Sequence, residues 1–115
     1  MTRGFARILV PTDFSPPSGA ALATAGALAA QFGASIHLIH VLEDPYTAAA
    51  YASDVYGYIP SGLSESWRKE AQTQLEELLD APEKAQFRVT TGVTFGSPAK
   101  AIVDYARDNG INLIV

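Results

Sequence analysis

With 115 residues, of which 48% are apolar and 17% charged, the chain is long enough for one domain with a buried core and too apolar for a disordered protein. It contains no cysteine, which excludes disulfides, thiolate zinc sites and a cysteine nucleophile. The net charge of −4, with only eight scattered basic residues, argues against a general nucleic-acid binder.

The N-terminus indicates a cytoplasmic protein. It is basic and runs straight into the first apolar segment, without the apolar region and cleavage site of a secretory signal peptide. The absence of cysteine agrees with a reducing compartment. No apolar run approaches the length of a membrane span, so we expect no membrane as a partner. The negative net charge likewise leads us to expect no nucleic acid as a partner.

The first predicted element is a strand over Arg7–Pro11, whose continuous apolar run is typical of a parallel strand buried on both faces. The strand leads to Asp13, and either Ser15 or Ser18, which flank two prolines, caps the helix that follows. Ligands of open α/β sheets bind at the carboxyl ends of the strands. Asp13 is therefore a candidate binding residue; the alternative is a turn residue that satisfies nearby backbone groups.

Strand and helix patterns then alternate along the chain. The first helix ends at Gly33, and the later elements, in order, are a strand over 35–42, a helix over about 63–79, a strand over 87–93, a helix that starts after Ser97 and stops at Asn109, and a strand over 111–115. This order predicts an open parallel sheet with helices on both faces. Trp67 shares the apolar stripe of the second helix, so we expect it in the core.

Two histidines on the second strand suggest a metal site, but their spacing argues against one. His37 and His40 are three positions apart, which places them on opposite faces of a sheet. We therefore expect packing or capping roles, with His40 close enough to the strand end to line a pocket.

Two loops carry open alternatives. The turn Gly96-Ser97-Pro98 is either a phosphate-binding turn at a helix N-terminus or a tight turn with Ser97 as the cap, and the lack of further glycines favours the cap. Residues 44–62 hold four of the five tyrosines and predict a lid, an interface or a mobile loop.

Four segments in order resemble the universal stress protein family over nearly the whole chain. They are Pro11-Thr12-Asp13-Phe14-Ser15, His40-Val41, Gly96-Ser97-Pro98 and Asn112-Leu113-Ile114-Val115. The resemblance implies a Rossmann-like fold of the adenine nucleotide alpha hydrolase type, with four strands present of an expected five, and a homodimer. The family's fifth strand and glycine-rich phosphate loop would follow Val115, so we expect the folded unit to continue beyond that residue.

The resemblance also implies an ATP site. It places Pro11, Thr12, Asp13 and Val41 in the nucleotide pocket, with ATP as the ligand and Mg²⁺ reaching Asp13 through the nucleotide. It implies a stress-response regulatory module with little or no catalysis. The alternative is a dimeric stress-response interaction protein of the same fold that binds no nucleotide.

Enzymatic hypotheses lack their usual motifs. The sequence contains no GxxxxGK[ST] phosphate loop, no GxGxxG fingerprint and no GxSxG elbow. No general base is identifiable, so we assign no catalytic residue and expect at most slow ATP hydrolysis.

Overall fold

The computed structural model describes residues 6–43 and 63–115. Within them the elements are β1 (Arg7–Pro11), α1 (Pro16–Phe32), β2 (Ser35–Leu42), α2 (Leu63–Glu77), α3 (Ala81–Gln86), β3 (Thr90–Phe95), α4 (Pro98–Asp108) and β4 (Leu113–Ile114). All four strands are parallel and form one sheet in the order β3-β2-β1-β4. The predicted α/β fold is thereby confirmed. The tyrosine-rich segment 44–62 lies outside the described residues.

The apolar run of β1 occupies the middle of the sheet. Ile8, Leu9 and Val10 are fully buried, because β2 and β4 pair with β1 on either side and helices cover the faces. In the register, Ile8 lies between Ile36 of β2 and Leu113 of β4. This position explains the continuous hydrophobicity of β1, since a strand without a solvent-facing side does not alternate.

Helices pack against both faces of the sheet. On one face, α1 and α2 bury side chains against β1 and β2, and the shared core consists of Ile8, Val10, Ala25, Ala29, Ala34, Ile36, Leu38 and Leu75. On the other face α4 packs against β2, where the hydroxyl of Tyr105 lies 2.7 Å from Nδ1 of His37. The described helices are too short or too polar to cross a membrane.

Both ends of α1 agree with the sequence. Ser15, rather than Ser18, occupies the N-cap position, and its hydroxyl accepts from the Ser18 N–H. Gly33 closes the helix in the left-handed conformation, with a φ of 67°. Left-handed backbone is the conformation for which glycine carries no steric penalty.

The region between α2 and β3 differs from the prediction. The helix expected over 63–79 ends at Glu77, and the short helix α3 follows before a strand that starts at Thr90 rather than at 87. Asp80 and Glu83 form a capping box in which each side chain accepts from the other's backbone N–H. This reciprocal capping starts a new helix within the stretch predicted as a connection to β3.

The prediction for Trp67 is wrong. Its side chain is 36% exposed, whereas Ala71 and Leu75 on the same stripe are buried. Positions four apart on a helix advance by about 40° around the axis, because a turn takes 3.6 residues. Trp67 is thus about 80° away from Leu75 and lies at the edge of the buried face.

Candidate functional site

A cleft of about 330 Å³ lies at the carboxyl ends of β1 and β2. Its lining comes from β1 and the loop after it, from α1, from β2 and from α4, and comprises Pro11, Thr12, Asp13, Ser18, His40, Val41, Pro98 and Ile102. The structure therefore brings together all four residues for which a nucleotide-binding role was expected. Pro98 and Ile102 were not anticipated as lining residues, since only the fold places α4 beside this strand end.

The backbone of the loop after β1 is held by β2. The Thr12 N–H donates to the Ile39 carbonyl at 2.8 Å, and Nδ1 of His40 lies 2.7 Å from the Thr12 carbonyl oxygen. Thr12 is 7% exposed, and its hydroxyl oxygen accepts from the Phe14 N–H at 3.0 Å. The N–H, the carbonyl and the hydroxyl of Thr12 thus each have a partner inside the protein, and these bonds restrain the loop at this residue.

Phe14 takes an uncommon backbone conformation directly after Asp13. Its φ is 67°, in the left-handed region that costs a side-chain-bearing residue about 1–2 kcal/mol. The Phe14 ring lies against the ring of His40, with centroids 4.6 Å apart and planes tilted by 36°. The ring contact and the hydrogen bond to Thr12 hold the chain in this turn.

Asp13 is exposed and collects donors on one oxygen. Its Oδ1 accepts from the Ser15 N–H at 3.0 Å, from the Ser18 hydroxyl at 2.6 Å and from the Ser15 hydroxyl. The hydroxyls of Ser15 and Ser18, together with the Ser15 N–H, lower the pKa of the Asp13 carboxyl from 3.8 to about 2. Asp13 is therefore a carboxylate at every physiological pH, with its side chain oriented by the first turn of α1.

A carboxylate in this position has two chemical uses. The donors from Ser15 and Ser18 all reach Oδ1, and the residue is exposed, so the carboxylate can also accept from a ligand. A ligand hydroxyl can donate to it, or a cation can bind it. The part of the chain that the structure describes contains no cluster of three acidic or histidine side chains for a metal.

The start of α4 forms the opposite wall through Pro98 and Ile102, and the turn before it is tied to the sheet. Gly96 has a φ of 136° and donates its N–H to the Leu42 carbonyl at 2.9 Å, which ties the turn to the end of β2. Ser97 occupies the N-cap position, but its hydroxyl makes no capping hydrogen bond. The turn and the helix start were predicted correctly, whereas the side-chain cap was not.

The two histidines occupy opposite faces of the sheet, as their spacing predicted. His37 contacts Tyr105 of α4, and burial, followed by the nearby charge of Arg7, lowers the pKa of its ring. His40 contacts Thr12 and Phe14 at the cleft. The two rings thus contact different parts of the protein, and His40, unlike His37, lines the candidate site.

A second cleft, of about 440 Å³, lies between α1 and α3. It is larger but has an apolar lining, with Glu83 as its one charged side chain, and a Glu83 oxygen already accepts from the Asp80 N–H. It lies away from the strand ends at which open α/β sheets bind ligands. The cleft around Asp13 is therefore the better candidate, because it combines polar groups with a strand-end position.

Comparison with known proteins identifies the family. The model of the universal stress protein family matches residues 4–115. The chain belongs to the universal stress protein family. A curated relative, universal stress protein YxiE of Bacillus subtilis (strain 168), is 30% identical over 115 residues, covering 96% of this chain and 77% of its own.

Solved structures of other universal stress proteins share the fold. A family member from Burkholderia pseudomallei has 26% identity and a TM-score of 0.69, with coverage of 95% of this chain and 78% of that one. A universal stress protein crystallised in complex with cAMP has 19% identity and a TM-score of 0.56, covering 97% of this chain and 71% of that one. The latter shows likeness of fold alone.

Proposed function

We propose that this universal stress protein is an ATP-binding regulatory module with little or no catalysis, and that the cleft around Asp13 is its nucleotide site. The observation that carries the proposal is the meeting of Pro11, Thr12, Asp13 and Val41 in one cleft at the carboxyl ends of two neighbouring parallel strands. A homodimer and a role in the stress response are part of the same proposal, on the ground of family membership.

The lining suits a nucleoside. Apolar side chains from three elements, Pro11, Val41 and Ile102, provide surfaces against which a base can pack. The volume of about 330 Å³ lies within the range of roughly 300–1,000 Å³ typical of small-molecule sites. A protein of this fold has been crystallised with the nucleotide cAMP, which supports a nucleotide as the class of ligand.

The charge of Asp13 determines which polar groups of a nucleotide it can contact. As a carboxylate it repels phosphate directly, so its favourable partners are a ribose hydroxyl or a Mg²⁺ ion bound to the phosphates. Bound Mg²⁺ would neutralise phosphate charge. The N-terminus of α4 opens beside Pro98 on the opposite wall, and its helix dipole favours negative charge there.

Calorimetric titration with ATP tests this proposal. The wild type should bind, Asp13→Ala should bind at least about tenfold more weakly, and Asp108→Ala, which removes an exposed carboxylate at the far end of α4, should bind as the wild type does. Equal binding by wild type and Asp13→Ala would contradict the site, and no binding by the wild type would favour the interaction protein that binds no nucleotide.

Two ligand changes separate the roles of Asp13. If its carboxylate accepts from the ribose, the wild type should bind 2′-deoxy-ATP or 3′-deoxy-ATP more weakly than ATP. Asp13→Ala should then bind ATP and that deoxy analogue equally well. If it acts through the cation, the difference between wild type and Asp13→Ala should vanish when EDTA replaces Mg²⁺. A wild type that hydrolyses ATP in sustained turnover would contradict the noncatalytic part of the proposal.

A further inference from the structure

One side chain of the neighbouring strand contacts the loop that carries Asp13 at two points. Besides the bond from the Thr12 N–H to the Ile39 carbonyl, His40 holds the Thr12 carbonyl and lies against the Phe14 ring, which also packs against the core. His40 lies at the end of β2, one residue before Val41, and lines the cleft itself. Its imidazole therefore connects the strand end to the turn on which Asp13 stands.

The hydrogen bond determines which tautomer His40 adopts. A carbonyl oxygen has no proton to give, so the 2.7 Å contact requires that Nδ1 of His40 carries a proton and donates it. In the neutral ring Nε2 is then an acceptor. His37 provides no such requirement, because its Nδ1 faces the Tyr105 hydroxyl, which can either donate or accept.

The turn needs such a restraint. Phe14 stands in the left-handed region, an arrangement that persists only where the surroundings hold it. Releasing the Thr12 carbonyl and the Phe14 ring would let the chain leave this conformation. The Asp13 carboxylate would then lose its alignment with the first turn of α1, where the Ser15 and Ser18 hydroxyls donate to it.

We propose that His40 is a positioning residue for the nucleotide site: its Nδ1–H and its ring hold the turn of Thr12 to Phe14 in the form that presents Asp13 to the ligand. The ligand part of this inference rests on the proposed ATP function. The restraint on the turn exists in the free protein and can be measured without ATP.

The first measurement needs no variant. Long-range ¹H–¹⁵N correlation spectra of the ligand-free protein, recorded at alkaline pH, report which ring nitrogen of each histidine carries the proton. His40 should show a protonated Nδ1 and an unprotonated Nε2. The opposite tautomer would overturn the proposal, since Nδ1 could not then donate to Thr12.

Variants test the consequence for Asp13. His40→Asn keeps a donor near the position of Nδ1, His40→Leu removes the donor, and His37→Asn alters the histidine on the opposite face as a matched control. In ligand-free protein, carboxyl ¹³C titration should show the pKa of Asp13 rising from about 2 toward 3.8 in His40→Leu. It should change little in His40→Asn and in the control. An unchanged Asp13 pKa in His40→Leu would overturn the proposal.

Titration with ATP completes the design. His40→Leu should bind ATP at least about tenfold more weakly than the wild type, and His40→Asn within about threefold of it. If His40 acted by packing alone, the donor that asparagine keeps would not preserve the affinity. Equal ATP affinity of His40→Leu and wild type would overturn the positioning role while leaving the ATP site in place. If the wild type binds no ATP, the proposed function fails, and the tautomer and the Asp13 titration still decide whether His40 holds the turn.

Discussion

Replacing glycine by alanine inside α1 and at its C-cap should change the stability of the protein in opposite directions. Gly33 ends the helix with a φ of 67°, and its N–H donates to the Ala29 carbonyl. Alanine in this conformation costs about 1–2 kcal/mol, and the reduced entropy of the unfolded chain returns about 0.4–1 kcal/mol. Gly33→Ala should therefore lower the free energy of unfolding by about 0.5–1 kcal/mol.

Gly26 offers the matched control inside the same helix. A Cβ added there would meet the Phe87 ring at 3.8 Å, which is an ordinary contact. Gly26→Ala should raise the free energy of unfolding by about 0.5–1 kcal/mol, because alanine is the better helix former. The two variants should thus differ by about 1–2 kcal/mol.

Urea denaturation followed by circular dichroism measures both changes. With a slope of roughly 1–3 kcal/mol/M, the midpoints of the two variants should lie about 0.3–2 M from each other, one on each side of the wild type, with unchanged slopes. In thermal unfolding the separation corresponds to about 4–8 °C. Stabilisation by both substitutions would refute the left-handed end of α1, and destabilisation by both would refute the spacing between α1 and Phe87.

Three further predictions concern the core, the site and the opposite face of the sheet. Leu75→Ala should cost about 2–5 kcal/mol, because Leu75 is fully buried, whereas Leu78→Ala, at a side chain 37% exposed, should cost less than about 1.5 kcal/mol; urea midpoints compare them. The pKa of Asp13 is lower in the folded protein, so the stability that its carboxylate contributes is present above pH 3.8 and is lost as the pH falls through about 2. Between these pH values the urea midpoint of Asp13→Asn should therefore fall less steeply than that of the wild type. Tyr105→Phe removes the hydroxyl 2.7 Å from Nδ1 of half-buried His37 and should cost about 1 kcal/mol, and a midpoint equal to that of the wild type would contradict this contact.

Much of the fold follows from local patterns in the sequence. The bounds of β1 and β2 and the end of α1 at Gly33 agree with the structure, because each depends on neighbours in the chain. The sequence left Ser15 and Ser18 open as the cap of α1, and the structure has Ser15. A buried strand shows as a continuous apolar run, and a helix end shows as a glycine.

The departures occur where two local signals compete. Phe87 and Val89 read as the start of β3, yet Phe87 is the C-cap of α3, and its carbonyl accepts from the Ile36 N–H. Both side chains pack against the core from outside a strand. An apolar pair beside a capping box thus contributes to the core without extending the sheet, and apolarity alone does not separate the two cases.

The candidate site divides in the same way. Asp13 could be named from its place at a strand end, and the family resemblance supplied Pro11, Thr12 and Val41. Pro98 and Ile102 could not, since they reach the cleft across about 85 residues of chain through the order of the strands. His40 lines the cleft as expected, but its bond to Thr12 could not be foreseen, because a backbone carbonyl carries no sequence signal.

The turn after β1 is the place where this chain departs from its local preferences. Elsewhere the described residues with a φ in the left-handed region are glycines, apart from Arg88 at the end of α3, whereas here a phenylalanine occupies it. Its neighbour is an exposed carboxylate on which two hydroxyls and an amide converge. Backbone strain alone would favour glycine at position 14, since glycine carries no strain there. Glycine would, however, remove the ring that meets His40 and free the chain beside Asp13. Local strain held by long-range contacts is typical of functional sites, and in this protein it coincides with the cleft proposed for the nucleotide.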